Sequence, residues 1–240
     1  ESFMKGKIIA KALLSGVIIA AIIVGVVILV IILNGAERRI PVQYSKKMVG
    51  RKMVGGQATN IPLKVNTAGV MPVIFASSIM SFPVVIAQFF TVDYSSIGGK
   101  ILTMLNSGSW CKPSQPIYSI GLMVYIILIV LFAYFYTSIA FNPLEVANNM
   151  KKQGGFIPGI RPGKPTSDYL NKILNYIVFI GAVGLTVVAI VPILASGLLD
   201  VSRISFSGTS LIIIVGVVLE TIKAVESQML VRYYKGFLND

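Results

Sequence analysis

VNTAGVMPVIFASSIMSFPVVIAQFF, residues 65–90, is long enough to cross a bilayer yet carries the wrong inventory for a simple anchor. Pro72 and Pro83 interrupt it, and Ser77, Ser78, Ser81 and Gln88 sit inside it. In lipid, amide partners freed by proline must be found within the protein, and hydroxyls facing hydrocarbon gain nothing there. The segment therefore reads as a lining helix. At helical spacing Thr67, Met71, Ile74, Ser78, Ser81, Val85 and Gln88 share one face, with polar groups flanking a short apolar patch. The alternative is a helix buried in a bundle, where small residues permit close packing.

Composition extends this reading to the whole chain. At 240 residues, 55% hydrophobic and with a mean hydropathy of +0.82, it has too few charges to cover a soluble domain and belongs in a membrane. Net charge is +12, from 21 Lys and Arg against 9 Asp and Glu. With no His and one Cys, it can form neither a Cys/His zinc site, an internal disulfide nor a His-containing triad. Cys111 falls in a connecting loop beside Trp110. The start at Glu1, with no Met and no signal peptide before the first apolar run, points to a fragment of a longer protein.

Five spans are predicted, at 12–33, 69–90, 118–141, 173–194 and 210–223. The first four hold about 20 residues each, roughly 30 Å as helix, which matches a hydrocarbon core. The fifth is shorter before its first charge, Glu220. Between spans one and two, residues 34–66 hold Arg38, Arg39, Lys46, Lys47, Arg51, Lys52 and Lys64 against Glu37. Residues 142–172 hold Lys151, Lys152, Arg161, Lys164 and Lys172 against Glu145 and Asp168. The positive-inside rule makes both loops cytoplasmic, with the N-terminus outside and the C-terminal tail, 224–240, inside. Lys5, Lys7 and Lys11 run against this orientation and are outweighed by the larger cluster.

Both basic loops are rich in turn signals, such as Gly55-Gly56 and the run PGIRPGKP at 158–165. They suggest docking of an acidic partner, against the plainer reading of positive-inside bias and attraction to anionic lipid. The run is not a nucleotide loop, because its glycine spacing is short and Pro165 stands where a magnesium-binding Ser or Thr belongs. The acidic groups lie in loops, apart from Glu220 and Glu226 toward the end of the last helix, and this lack of paired carboxylates within a span argues against proton coupling. In the last span, Gly208-Thr209-Ser210 offers a helix start and 211–215 an apolar run that could form a constriction with Ile74.

RRIPVQY (38–44), GGQ (55–57), IPLKVN (61–66), AGVMPVIFASS (68–78), FNP (141–143), GFIPGIRPG (155–163) and GTSL (208–211) together resemble the C-terminal half of the SecY family, the channel subunit of the bacterial protein-export translocon. The resemblance implies an all-α, multi-pass membrane protein whose five spans are helices six to ten of ten and form half of a clamshell channel. It implies a pore ring at Ile74 and Ile213, and a lateral gate at Met71, Ser77, Ser78, Ser81 and Phe82. Motor and ribosome docking would fall on Arg38, Arg39, Lys46, Lys47, Arg51, Lys52, Arg161 and Lys164. Implied partners are the small subunits SecE and SecG, the SecA motor ATPase, the ribosome, signal sequences and translocating polypeptides, the N-terminal half of the same channel, and membrane lipids. The implied location is the bacterial plasma membrane. No catalytic residue, cofactor or metal is expected. Half of a small-molecule secondary transporter and a purely structural scaffold are the rival readings.

Overall fold

A computed structural model describes residues 2–45, 47–49, 52–54, 58–90, 93, 96–106, 110, 119–199 and 208–236, with side chains described at 16–45, 58–90, 93, 96–106, 110, 119–194, 210 and 213–229. The elements in chain order are α1 (Ser2–Gly35), β1 (Glu37–Tyr44), β2 (Lys47–Val49), β3 (Lys52–Val54), β4 (Ala58–Lys64), α2 (Met71–Ala87), α3 (Ile97–Leu105), α4 (Ile120–Ala140), α5 (Pro143–Lys152), β5 (Gly155–Phe156), α6 (Lys164–Leu199) and α7 (Gly208–Gly236). The predominantly helical class holds. Among the described residues α1, α4 and α6 contain stretches long and apolar enough to cross a membrane, and α2 is a shorter apolar helix of 17 residues.

A small sheet is an addition to the all-α expectation. β1 pairs antiparallel with β4, Glu37 facing Lys64 and Gln43 facing Ala58. β2 pairs with β3 in the same register, Lys47 facing Val54, so the four strands pair as a hairpin. The pattern behind it has period two: Ile40 and Val42 on β1, Ile61 and Leu63 on β4, alternating with polar residues and prolines. β5 adds to the far edge of β1 at Gln43 and Tyr44.

The membrane helices pack around a core of Val26 and Val30 from α1, Val73, Ala76 and Met80 from α2, Tyr125 and Ile129 from α4, and Leu185, Val188 and Ala189 from α6. Trp110 closes this core at one end, donating its ring N–H to the Met104 carbonyl at 2.7 Å and stacking on Tyr125. A second core lies under the hairpin, where Ile40, Val42 and Leu63 meet Met150, Ile157, Leu170, Ile173 and Ile177. A third joins α4 to α6 through Ala133, Leu174, Val178 and Ala182.

The hairpin is tied to the bundle at its base. The Val65 N–H donates to the Ala36 carbonyl at 2.9 Å, and Asn66 Nδ2 donates to Asn34 Oδ1 at 2.7 Å. Gly181 of α6 sits directly beneath, where any Cβ would collide with the Val65 carbonyl. Backbone cannot move aside as a flexible side chain can, so Gly181→Ala should destabilise the full-length protein by on the order of 1–3 kcal/mol. Thermal unfolding of the purified membrane protein should show a lowered midpoint, whereas an unchanged one would mean that the hairpin base does not rest on α6.

Candidate functional site

Two regions hold the predicted site residues. In the first, α2, the structure corrects the reading of Pro72: it occupies the first turn of the helix, where its missing N–H costs nothing, and so starts the helix instead of interrupting it. Pro83 does lie inside α2. The segment 65–70 ahead of it is turn, with Gly69 at φ 64°.

α2 buries one face and leaves the other open. Pro72, Val73, Ala76 and Met80 are buried, with α4 as the principal neighbour. Phe75 joins Phe132 and Tyr136 of α4 at ring separations of 6.0 and 5.3 Å. Of the predicted lining face, Met71, Ser78, Ser81, Val85 and Gln88 are exposed, and Thr67 and Ile74 are half-buried. Phe82, at 66% exposure, projects from the same side as Ser78. Ser77 is half-buried.

Two of the hydroxyls on this helix, and that of Thr67 ahead of it, are bonded to local carbonyls. Ser77 Oγ and Ser78 Oγ both donate to the Ile74 carbonyl, at 2.9 and 2.8 Å, and Thr67 Oγ1 donates to the Lys64 carbonyl at 2.8 Å. A serine bonded back to its own helix tolerates hydrocarbon, water or a passing chain alike. Both serines converge on the carbonyl of the residue predicted for the ring. α7 approaches the start of α2 at Gly216, where an added Cβ would stand 3.4 Å from Val70 Cγ1. Ile74 lies one turn along α2 from that point and Ile213, 37% exposed, one turn back along α7.

The second region unites the two basic segments that the sequence keeps about a hundred residues apart. The hairpin, α5, Ile157 just after β5 and the first turns of α6 share the second core, so they form one module. Ser45 N and Oγ both donate to the Gly154 carbonyl, at 3.0 and 3.1 Å. Asn142 caps α5, its Oδ1 accepting from the amides of Leu144 and Glu145 at 3.2 and 3.4 Å. Glu145 in the first turn of α5 and Lys151 and Lys152 in the last complement the helix dipole.

The predicted docking cations distribute unevenly over this module. Arg38, Arg161 and Lys164 are exposed. Arg39 is exposed too, but Glu37 Oε1 accepts from its Nη2 at 2.7 Å and its Nε at 2.8 Å, so part of its charge is engaged. Lys46 and Arg51 lie outside the described residues, and Lys47 and Lys52 are described in backbone only. Cys111 and the Gly55-Gly56 turn also lie outside them. One cation belongs here that sequence reasoning did not select: the Lys151 stem comes within 3.9 Å of where a Cβ on Gly163 would stand, beside the Arg161 loop. Only the fold brings the end of α5 against residues 161–163.

The SecY family model matches residues 2–222. The chain belongs to the SecY family. Among curated SecY relatives, the protein translocase subunit SecY of Streptomyces galbus is 50% identical over 216 residues, covering 87% of this chain and 46% of its own length. That of Halalkalibacterium halodurans is 47% identical over 209 residues, with the same coverage. That of Mycobacterium tuberculosis is 47% identical over 213 residues, covering 87% of this chain and 47% of its own length. The chain thus spans about half the length of the curated SecY relatives it matches. The fold also matches a structure describing the plug domain of the SecY protein, at a TM-score of 0.53 with 19% identity, over 85% of this chain and 48% of that one. A second, described as a protein conducting channel, gives 0.51 with 19% identity, over 83% and 46%. Family and apolar helices together make this SecY chain a membrane-embedded protein.

Because the module's strands lean on α6, Leu170→Ala should loosen the hairpin while leaving the membrane core intact. Leu170 is fully buried, and a Leu→Ala change in such a site costs about 2–5 kcal/mol. Hydrogen exchange should then quicken at the amides of β1 and β4 but not in α4. Unchanged exchange in the strands would contradict a shared core.

Proposed function

We propose that this chain is the C-terminal half of a protein-conducting channel, which passes unfolded polypeptides across the membrane and releases hydrophobic helices sideways into lipid. The observation that carries this reading is the face of α2 left open in a chain of SecY membership: Met71, Ser78, Ser81 and Phe82 lie along it, all exposed in the described chain. In this account the face meets the other half of the channel when the gate is closed and a signal sequence or substrate when it is open. Gate opening is then a choice between two packings, biased by a ligand that binds one of them better. Ser77, with its hydroxyl held on the Ile74 carbonyl, belongs to the same gate.

Ile74 and Ile213 contribute to an apolar ring that admits water poorly yet lets varied side chains slide past. The approach of Gly216 to Val70 supports this pairing. Successive spans traverse the membrane in opposite directions, so one turn along α2 and one turn back along α7 reach the same depth.

The chain holds no catalytic role in this account. Energy comes from a bound SecA motor or a ribosome, docked on the basic module through Arg38, Arg39, Arg161 and Lys164, together with Lys46, Lys47, Arg51 and Lys52. SecE and SecG are the small-subunit partners, and the bacterial plasma membrane is the location, with the two basic segments and the C-terminus in the cytoplasm. The transporter alternative finds no support in the family or in the solved structures.

Replacing Ile74 or Ile213 by Asn in the full-length protein should loosen the closed state. Ion conductance of idle channels in a planar bilayer should rise, and proteins with defective signal sequences should be exported. Unchanged conductance together with unchanged discrimination would count against the ring. Arg161→Glu should weaken motor binding about tenfold or more, since like charges set against each other across an interface cost several kcal/mol. Normal motor binding and normal export by the inserted variant would remove Arg161 from the docking surface.

A further inference from the structure

Arg161 sits on a short exposed loop between β5 and α6, and such a loop would ordinarily let its side chain wander. Here the loop is fastened on both flanks. On one side Ile157 is buried in the second core with Ile160 packed against it, and the Ile160 N–H closes a turn onto the Ile157 carbonyl at 3.0 Å. On the other side Thr166, 1% exposed, donates its Oγ1 to the carbonyl of Arg161 itself at 2.8 Å. The Thr166 and Ser167 amides both donate to the Gly163 carbonyl, at 3.0 and 3.1 Å, which fixes the turn into α6. Gly159 and Gly163, at φ 83° and 101°, and Pro162 between them leave the backbone few other paths.

Thr166 cannot itself touch a partner, because it is buried. Its hydroxyl is the one side-chain group described as bonding the Arg161 backbone, and it springs from the rigid first turn of α6. We infer that Thr166 is a positioning residue: through the bond from Oγ1 to the Arg161 carbonyl it holds the Arg161 guanidinium ready for an acidic surface of the motor. The inference rests on the docking role proposed for Arg161. Pre-ordering the loop lowers the conformational cost of binding, so losing the bond weakens docking without removing any charge.

Two substitutions separate the hydroxyl from the packing. Thr166→Val keeps the shape and removes the donor, while Thr166→Ser keeps the donor and removes a methyl. In the full-length channel complex, two readouts apply: mobility of a spin label at position 161, and the motor ATPase concentration giving half-maximal channel-dependent ATP hydrolysis. Thr166→Val should raise label mobility and raise the half-saturating concentration about fivefold, the scale of one neutral hydrogen bond. Thr166→Ser should leave both within twofold of the parent. Unchanged label mobility in Thr166→Val overturns the positioning role whatever the motor does. Equal loss in both variants overturns it in favour of packing. If Arg161→Glu impairs the motor and Thr166→Val does not, the inference fails alone. If Arg161→Glu is also without effect, the docking reading fails and carries the inference with it.

Discussion

The buried stripe of α6 is the constraint on which the remainder of the structure depends. Leu170, Ile173 and Ile177 pack under the hairpin, Leu174, Val178 and Ala182 against α4, and Leu185, Val188 and Ala189 in the membrane core. One helix of 36 residues, about 54 Å long, thus supplies all three clusters. A helix interior bonds its own backbone, so it is the one element able to run unbroken from a polar surface into hydrocarbon. Displacing the hairpin end of this helix must therefore be felt, as packing strain, among the membrane helices.

Under the proposed function, that continuity lets a docking surface act on a channel without touching it. The basic module is no set of loose tethers, since the hairpin and α5 share a core with α6 and β5 pairs with β1. α1 and α6 both pack against α7, and α4 packs against α2. A partner pressing on the module would, under the proposed function, act through α6 on the membrane core that also holds α2. Movement of the open face of α2 relative to the other half of the channel is the event the proposed function requires.

Much of this was legible in the sequence, for physical reasons that differ by region. The spans of α1 and α4 stand out because hydrocarbon tolerates few residue types. Helical spacing put Met71, Ser78, Ser81, Val85 and Gln88 on the face of α2 that is exposed, but left a helix buried in a bundle as the alternative. Pro72 was misread as an interruption because a proline's effect depends on where the helix begins, which Gly69 and the turn before it decide. The hairpin was visible as alternation at Ile40, Val42, Ile61 and Leu63, yet charge drew the reading toward loops. α6 begins at Lys164, nine residues before the predicted span, because its first turns answer to the hairpin and not to lipid. The roles of Thr166, Lys151 and Gly181 had no local signal: each depends on a neighbour that only the fold supplies.

The most direct test of the account concerns the open face of α2. A single cysteine at Ser78 and another on the facing helix of the other half, in a Cys-free full-length protein, would be assayed for disulfide crosslinking with and without a stalled secretory chain. The account predicts efficient crosslinking in the idle channel that falls as the substrate enters. Failure to crosslink in either state, in a folded and active protein, would contradict it, because α2 would then lie away from any gate.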